Sequence, residues 1–313
     1  MSVQSLLDSR LLLVTGKGGT GKTSFSAALA VLGAVKGRRT LLAEVDTQRP
    51  SMAAIFGEPP PTEPKSVLVH LDIVNVHWDV AIAEYMKRYL RSRRLVDGIL
   101  KNKVVRRFLD FAPGARELFI LSRLADLAAN YELMVVDMHA SGHAFSLLDI
   151  TRSAVGLFRS GPMLQRAEEL VRLVQDDGTK MVFVALPEEM VVNETLETLE
   201  RMQHAGLLGG APAVFLNKAT LPSLRPPERT LLGRLAAQDL PPLAREFVRA
   251  GFWEDALEQA TAEAQTRLAD AFDEPAVLVP PTNASGVPRH VVAGIAVHLG
   301  RMVGVTRREL PWI

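Results

Sequence analysis

Cysteine is absent from the 313 residues, which excludes disulfides, thiolate metal sites and iron–sulfur clusters and fits a cytoplasmic protein. Long apolar runs are missing too. None reaches the roughly 18 residues that a membrane span needs, and the first ten residues lack a signal peptide's apolar stretch because a strand opens at Leu11. Neither sign of charge is in excess: 36 Lys and Arg against 35 Asp and Glu leave a net +1, so no global field demands nucleic acid or membrane as partner. What remains is an ordinary globular composition, long enough for one large α/β domain or two.

Against that background stands Gly16-Lys17-Gly18-Gly19-Thr20-Gly21-Lys22-Thr23, followed by Ser24. It lies between the apolar run Leu11–Thr15 and a helical pattern opening at Lys22, the strand–turn–helix context of a phosphate-binding loop. Glycines let consecutive N–H groups turn inward around an anion, and the helix N-terminus adds partial positive charge. In that pattern Lys22 binds the β- and γ-phosphates and Thr23 puts its hydroxyl on Mg2+. Lys17 has no part in the general pattern, and a second lysine so near the phosphates suggests a charge delivered to a transition state. The segment points to binding of a nucleoside triphosphate and to its hydrolysis.

Apolar runs alternate with helical patterns along the rest of the chain, which predicts an α/β P-loop NTPase fold with a mostly parallel sheet flanked by helices. Strands are expected at Leu11–Thr15, Thr40–Val45, Leu71–Val76, Leu133–Asp137, Met181–Leu186, Ala213–Leu216 and Ala276–Val279, and helices at Lys22–Val35, Met163–Gln175, Glu194–His204 and Pro242–Phe272. The core is expected over 1–76 and 131–313, with a helical insertion over 77–130. There is no internal repeat of the loop, so one nucleotide site is expected. The proline cluster Pro59–Pro64 reads as a stiff surface connector. Within the insertion, nine Lys and Arg between Lys87 and Arg107 face one acid, Asp97. This is either a solvated helix face or a docking surface for an acidic partner, anionic lipid or nucleic acid.

A P-loop ATPase also needs an acid at the end of a second strand to organise Mg2+, and a group to orient water. Asp137, closing Leu133-Met134-Val135-Val136, suits the first role; Asp46, closing Leu41–Val45, suits the second. Met138-His139-Ala140-Ser141-Gly142-His143 reads as a glycine-containing turn in which the N–H of Gly142 senses the γ-phosphate. His139 and His143 are four apart, but no third metal ligand is apparent and Ser-Gly argues for a loop, so a structural or switch role is expected. Asn217 and Lys218 end a strand where an amide can read a base edge, and Pro281 can pack on the base.

These residues carry a resemblance. Lys17–Thr23 resembles the deviant Walker A of the SIMIBI ATPases, and Asp137–His143 resembles the second switch of their ArsA/GET branch. Val74-Asn75-Val76 with Ala83-Glu84-Tyr85, Pro113-Gly114-Ala115-Arg116-Glu117, Leu186-Pro187-Glu188 with Glu194-Thr195, and Phe215-Leu216-Asn217-Lys218 add to it. The resemblance implies a nucleotide-sandwich dimer in which Lys17 reaches the phosphates of the partner subunit. Lys22 and Thr23 keep their usual roles, Asp46 holds the water and joins Thr23 and Asp137 around Mg2+. The chain departs from the family in both switches: Asp46-Thr47-Gln48-Arg49-Pro50-Ser51 lacks the first switch's histidine, and His139 stands in a second switch without its proline. The arsenite pump's cysteine triad and the targeting factor's zinc-binding cysteines cannot exist here. Only Met86 of the ten methionines lies in the insertion, so a methionine-rich client groove is not expected. Leu95, Ile99, Leu100, Val104, Val105 and Phe108 are expected to pack inward.

Three readings follow. The first is an ATPase that cycles between ATP and ADP as a dimeric switch, engaging a protein partner through the insertion. The second is a nucleotide-binding scaffold with negligible hydrolysis, one half of a heterodimer with a paralogue. The third is a positioning ATPase that contacts DNA or membrane through its basic helices; the C-terminal Arg307–Ile313 lacks the length of a membrane-targeting helix.

Overall fold

Leu11–Thr15, Thr40–Val45 and Leu133–Asp137 are buried at every position, the mark of strands covered on both faces. The computed structural model describes residues 2–47, 51–90, 114–282 and 286–312, with positions 94, 96, 98, 101–103 and 107. Eight strands form one sheet: β1 Leu11–Thr15, β2 Thr40–Val45, β3 Lys65–Leu68, β4 Leu71–Val76, β5 Leu133–Asp137, β6 Thr179–Ala185, β7 Ala213–Asn217 and β8 Val277–Val279. Their order is β3-β4-β2-β5-β1-β6-β7-β8. All pairs are parallel except β3 with β4. The fold is the α/β, P-loop NTPase class that the alternation implies.

Eleven α-helices lie among the described residues: α1 Val3–Leu7, α2 Lys22–Val35, α3 Ala53–Phe56, α4 Trp78–Tyr89, α5 Ala115–Ala128, α6 Ser141–Leu157, α7 Pro162–Val174, α8 Glu189–His204, α9 Pro226–Ala236, α10 Pro242–Phe272 and α11 Pro288–Met302. Strand alternation divides them. Leu11, Leu13, Leu41, Ala43, Met134 and Val136 face α5, α6, α7, α8 and the end of α10. Leu12, Val14, Leu42, Leu133 and Val135 face α2 and α11. Because β1 sits between β5 and β6, the chain leaves it in opposite directions on its two sides. Ligands of open α/β sheets bind beyond the carboxyl ends of strands at such a reversal. The loop after β1 occupies that place.

Several expectations change. Ser141 and Gly142 are the first two residues of α6, not a loop, with Ala140 as N-cap; Ser141 is fixed there by its N–H to the Gly16 carbonyl and its hydroxyl to Glu194. α8 begins at Glu189, five residues before the expected start. The edge strand β3 and the helices α1, α3, α9 and α11 were not anticipated. The proline connector is more than a surface spacer: Pro60 is buried, the Pro61 carbonyl accepts from Asn75 N–H at 2.8 Å, and buried Arg123 donates to Thr62 O at 2.6 Å and to Glu63 at 3.1 Å. Arg123 also pairs with Glu84, so one guanidinium ties the connector to α4 and α5. Gln48, Arg49 and Pro50 of the first switch, Pro113, Arg91, Arg93 and Arg106 of the basic run, and the apolar set Leu95, Ile99, Leu100, Val104, Val105 and Phe108 lie outside the described residues; the other six basic residues, Lys87, Arg88, Arg94, Lys101, Lys103 and Arg107, are exposed.

Candidate nucleotide site

Glycine is required at both ends of the loop. Gly16 has φ +147° and Gly21 has φ +100°. A Cβ at Gly16 would lie 2.2 Å from the Val184 carbonyl oxygen, and one at Gly21 would lie 2.8 Å from Asn217 Nδ2. The loop is thus wedged against β6 and β7 by backbone contacts that a side chain would block. At Gly18 and Gly19 a Cβ would meet nothing within 4 Å, so the loop's crest faces open space. Thr20 is buried and its hydroxyl donates to the Lys17 carbonyl at 2.9 Å.

Lys22 and Thr23 open α2, with Gly21 as N-cap. Lys22 Nζ donates to the Lys17 carbonyl at 3.1 Å. Burial lowers its pKa, against the raising influence of Asp137 and then Glu194. Thr23 Oγ1 donates to Asp137 Oδ2 at 2.6 Å, and Ser26 Oγ, one helical turn on, donates to Oδ1 at 3.3 Å. Asp137 therefore ends β5 with both oxygens turned under the start of α2. Burial raises its pKa to about 6, opposed by the Thr23 hydrogen bond, the Lys22 charge and Ser26. A buried carboxylate held by two hydroxyls beside a lysine suits a divalent cation, because the cation's charge replaces the stabilising solvation that burial removes from the carboxylate. The open crest, the aligned helix N-terminus and this carboxylate fit a nucleoside triphosphate with Mg2+. Among the described residues no cluster of three or more His, Asp or Glu could hold a metal ion by itself, so the cation's remaining ligands would be phosphate and water.

Asp46 leaves β2 with φ +40°, a left-handed conformation that Asp tolerates better than most residues. Its N–H bonds the Val76 carbonyl at 3.0 Å. Oδ1 lies 3.3 Å from His77 Nδ1 and accepts from Trp78 N–H at 3.4 Å, so the carboxylate sits at the N-terminus of α4. Asn75 fixes the next residue, donating to the Thr47 carbonyl at 2.8 Å. Asn217 Nδ2 donates to the Thr20 carbonyl at 2.8 Å and Oδ1 accepts from Lys218 N–H at 2.9 Å. One N–H and one lone pair of that amide remain for a ligand. Lys218 takes φ +55°, and the adjoining Ala219 N–H bonds the Val279 carbonyl at 3.0 Å. That contact brings the end of β8, and exposed Pro281 beyond it, toward Asn217. Gly142 is exposed in the first turn of α6, where N–H groups lack intrahelical acceptors. Ser24 lies partly buried in the first turn of α2.

The sequence pattern of the anion-transporting ATPases matches residues 9–174, from the start of β1 to the end of α7. The chain belongs to this family. It is 29% identical over 222 residues to the ATPase BagA of Mycobacterium tuberculosis, an alignment covering 66% of this chain and 65% of that protein. It is 26% identical over 223 residues to the arsenical pump-driving ATPase of Acidiphilium multivorum, covering 63% of this chain and 37% of that one. The chain thus spans just under two thirds of the mycobacterial relative's length.

Two residues of this anion-transporting ATPase family member, Glu44 and Ser26, escape a motif search, and a third, Glu194, enters only through the resemblance, with no role attached. Glu44 is in register with both Asp137 and Asn75, and it is 3% exposed. Oε1 accepts from Ser51 N–H at 2.8 Å, while Oε2 is buried without a hydrogen-bond partner. Burial raises its pKa to about 7, the Ser51 N–H opposes this and the Asp137 charge adds to it. The available signal was an acid inside an otherwise apolar, fully buried strand. Ser26 was hidden because a serine one turn into a helix usually faces solvent or its own backbone. Glu194 carried only the resemblance; the structure puts its carboxylate 3.4 Å from Lys17 Nζ. His139 and His143 flank the start of α6 with ring centroids 6.1 Å apart.

Proposed function

We propose that this chain binds and hydrolyses ATP with Mg2+, and that the cycle closes and opens a dimer of two copies whose insertion engages a protein partner. The observation that carries the reading is Asp137 held under the start of α2 by Thr23 and Ser26, beside Lys22 and in front of an open glycine loop. Mg2+, when bound, neutralises phosphate charge and orients the phosphates. The loop's N–H groups and Lys22 bind the β- and γ-phosphates, with Lys22 turning away from the Lys17 carbonyl to do so. Thr23 contributes its hydroxyl and Asp137 orients it. Asp46 takes the proton side of the attacking water, and Asn217 with Pro281 holds the base. Lys17 supplies its charge to the nucleotide of the other subunit, in the manner of an arginine finger, whose typical effect is about 10³–10⁵ in rate. Asp46 also bonds the first N–H of α4, so rearrangement at the phosphates has a direct path to residues 77–130, the segment that forms the proposed insertion.

Sedimentation velocity with a non-hydrolysable ATP analogue and Mg2+ tests this. The expected result is a shift from monomer to dimer that ADP does not produce. A chain that binds the analogue and stays monomeric would overturn it.

A further inference from the structure

Glu194, in the first half of α8, joins three parts of the candidate site. One carboxylate oxygen lies 3.4 Å from Lys17 Nζ. The other accepts from Ser141 Oγ at 2.5 Å. Ser141 is the first residue of α6, and its N–H reaches the Gly16 carbonyl at 3.3 Å. The Lys17 carbonyl meanwhile takes Lys22 Nζ and Thr20 Oγ1. The phosphate loop, the helix following Asp137 and α8 are therefore linked through one carboxylate. Lys17 and Glu194 are each about one third exposed, at 34% and 36%, so another anion can compete for the lysine.

We propose that Glu194 is a positioning residue that holds Lys17 on its own subunit in the nucleotide-free chain and releases it to the partner's nucleotide when two chains close. This rests on the trans-lysine reading above. A lysine ammonium is a compact point charge on a flexible stem and serves one anion at a time. Bound to Glu194 it is turned toward its own α8; a partner's phosphates recruit it only by breaking that pair. A triphosphate carries more charge than one carboxylate, so the exchange runs toward the partner once its nucleotide is near. Glu194 does not become an isolated charge on release, because the Ser141 hydroxyl still donates to it. Ser141 also carries the event to α6, which it begins.

The test uses Glu194→Gln, which keeps the side chain's size and a carbonyl acceptor for Ser141 while removing its charge. In the nucleotide-free chain, Lys17 should react faster with an amine-acylating reagent, read by mass spectrometry against the other lysines. With a non-hydrolysable ATP analogue and Mg2+, the sedimentation-derived dimer constant should tighten by roughly two- to five-fold per released lysine, the range for a partly exposed pair. Glu194→Asp, too short to bridge Lys17 and Ser141 together, should shift in the same direction. Unchanged dimerisation in Glu194→Gln, or weaker dimerisation accompanied by lower thermal stability, overturns the proposal by leaving Glu194 a structural contact. Lys17→Ala separates the two levels. If that variant hydrolyses ATP normally, the trans-lysine reading fails; if it is inactive while Glu194→Gln dimerises like the parent chain, only the holding role fails.

Discussion

A carboxylate inside a parallel sheet is stable only if it finds donors, a cation or a proton. Glu44 has two N–H donors on one oxygen and none on the other, next to Asp137 in register. Burial lifts the two groups to about 7 and about 6. A folded-state pKa above the unfolded one means stability that is present below the ordinary carboxylate range and lost as pH rises through 6 to 7. For Glu44 the loss is about 3 kcal/mol. We predict that the urea-unfolding free energy of the nucleotide-free chain falls between pH 5 and pH 8, and that Glu44→Gln flattens this fall and gains stability at pH 8. An unchanged slope in the variant would contradict the assignment. At Lys17 the prediction is kinetic: Lys17→Ala keeps nucleotide affinity within a few-fold and lowers turnover by about 10³–10⁵, read by fluorescent-nucleotide titration beside steady-state hydrolysis. Gly16→Ala should instead lose nucleotide affinity and stability together, because its Cβ would strike the Val184 carbonyl.

At the scale of elements, α10 shows how one helix serves two environments. Its second half buries Ala264, Leu268 and Phe272 against the sheet. The same stripe in its first half leaves Leu243, Phe247 and Trp253 at 84%, 75% and 68% exposed. Leu268→Ala should therefore cost about 2–5 kcal/mol, and Phe247→Ala no more than about 0.5 kcal/mol, both read from chemical denaturation. Equal losses would mean that the first half is also core. This helix, like α2, β1, β2, β4 and β5, has the boundaries that its sequence pattern predicts: α2, β1 and α10 are bounded by Gly21, Gly16 and Pro241, and β2, β4 and β5 are short apolar runs closed by charged or polar residues at both ends or one. Where several local signals compete, the pattern misleads. Ser141-Gly142 looks like a loop until tertiary contacts with Gly16 and Glu194 set them as a helix start. β3 is four residues long and half exposed, so it has no apolar run to read. In the site, the loop and both strand-end aspartates were legible because motif and strand end coincide in sequence. Glu44, Ser26 and Glu194 were not, since each matters through a partner 7 to 177 residues away.

At the scale of the molecule, the loop's crest and Lys17 lie at the open carboxyl edge of the sheet, where Lys17 Nζ is turned 3.4 Å from Glu194 of α8. A lysine that acts on the partner's nucleotide makes hydrolysis a property of two chains. The most direct test mixes Lys17→Ala with Lys22→Ala, each inactive alone: the first keeps its own phosphate lysine, and the second still carries the lysine it lends. With random exchange of subunits, half the dimers are mixed and one of their two sites is complete, so hydrolysis should recover to about a quarter of the parent rate. Mixed dimers that form, shown by differential labelling, yet remain inactive would contradict the account.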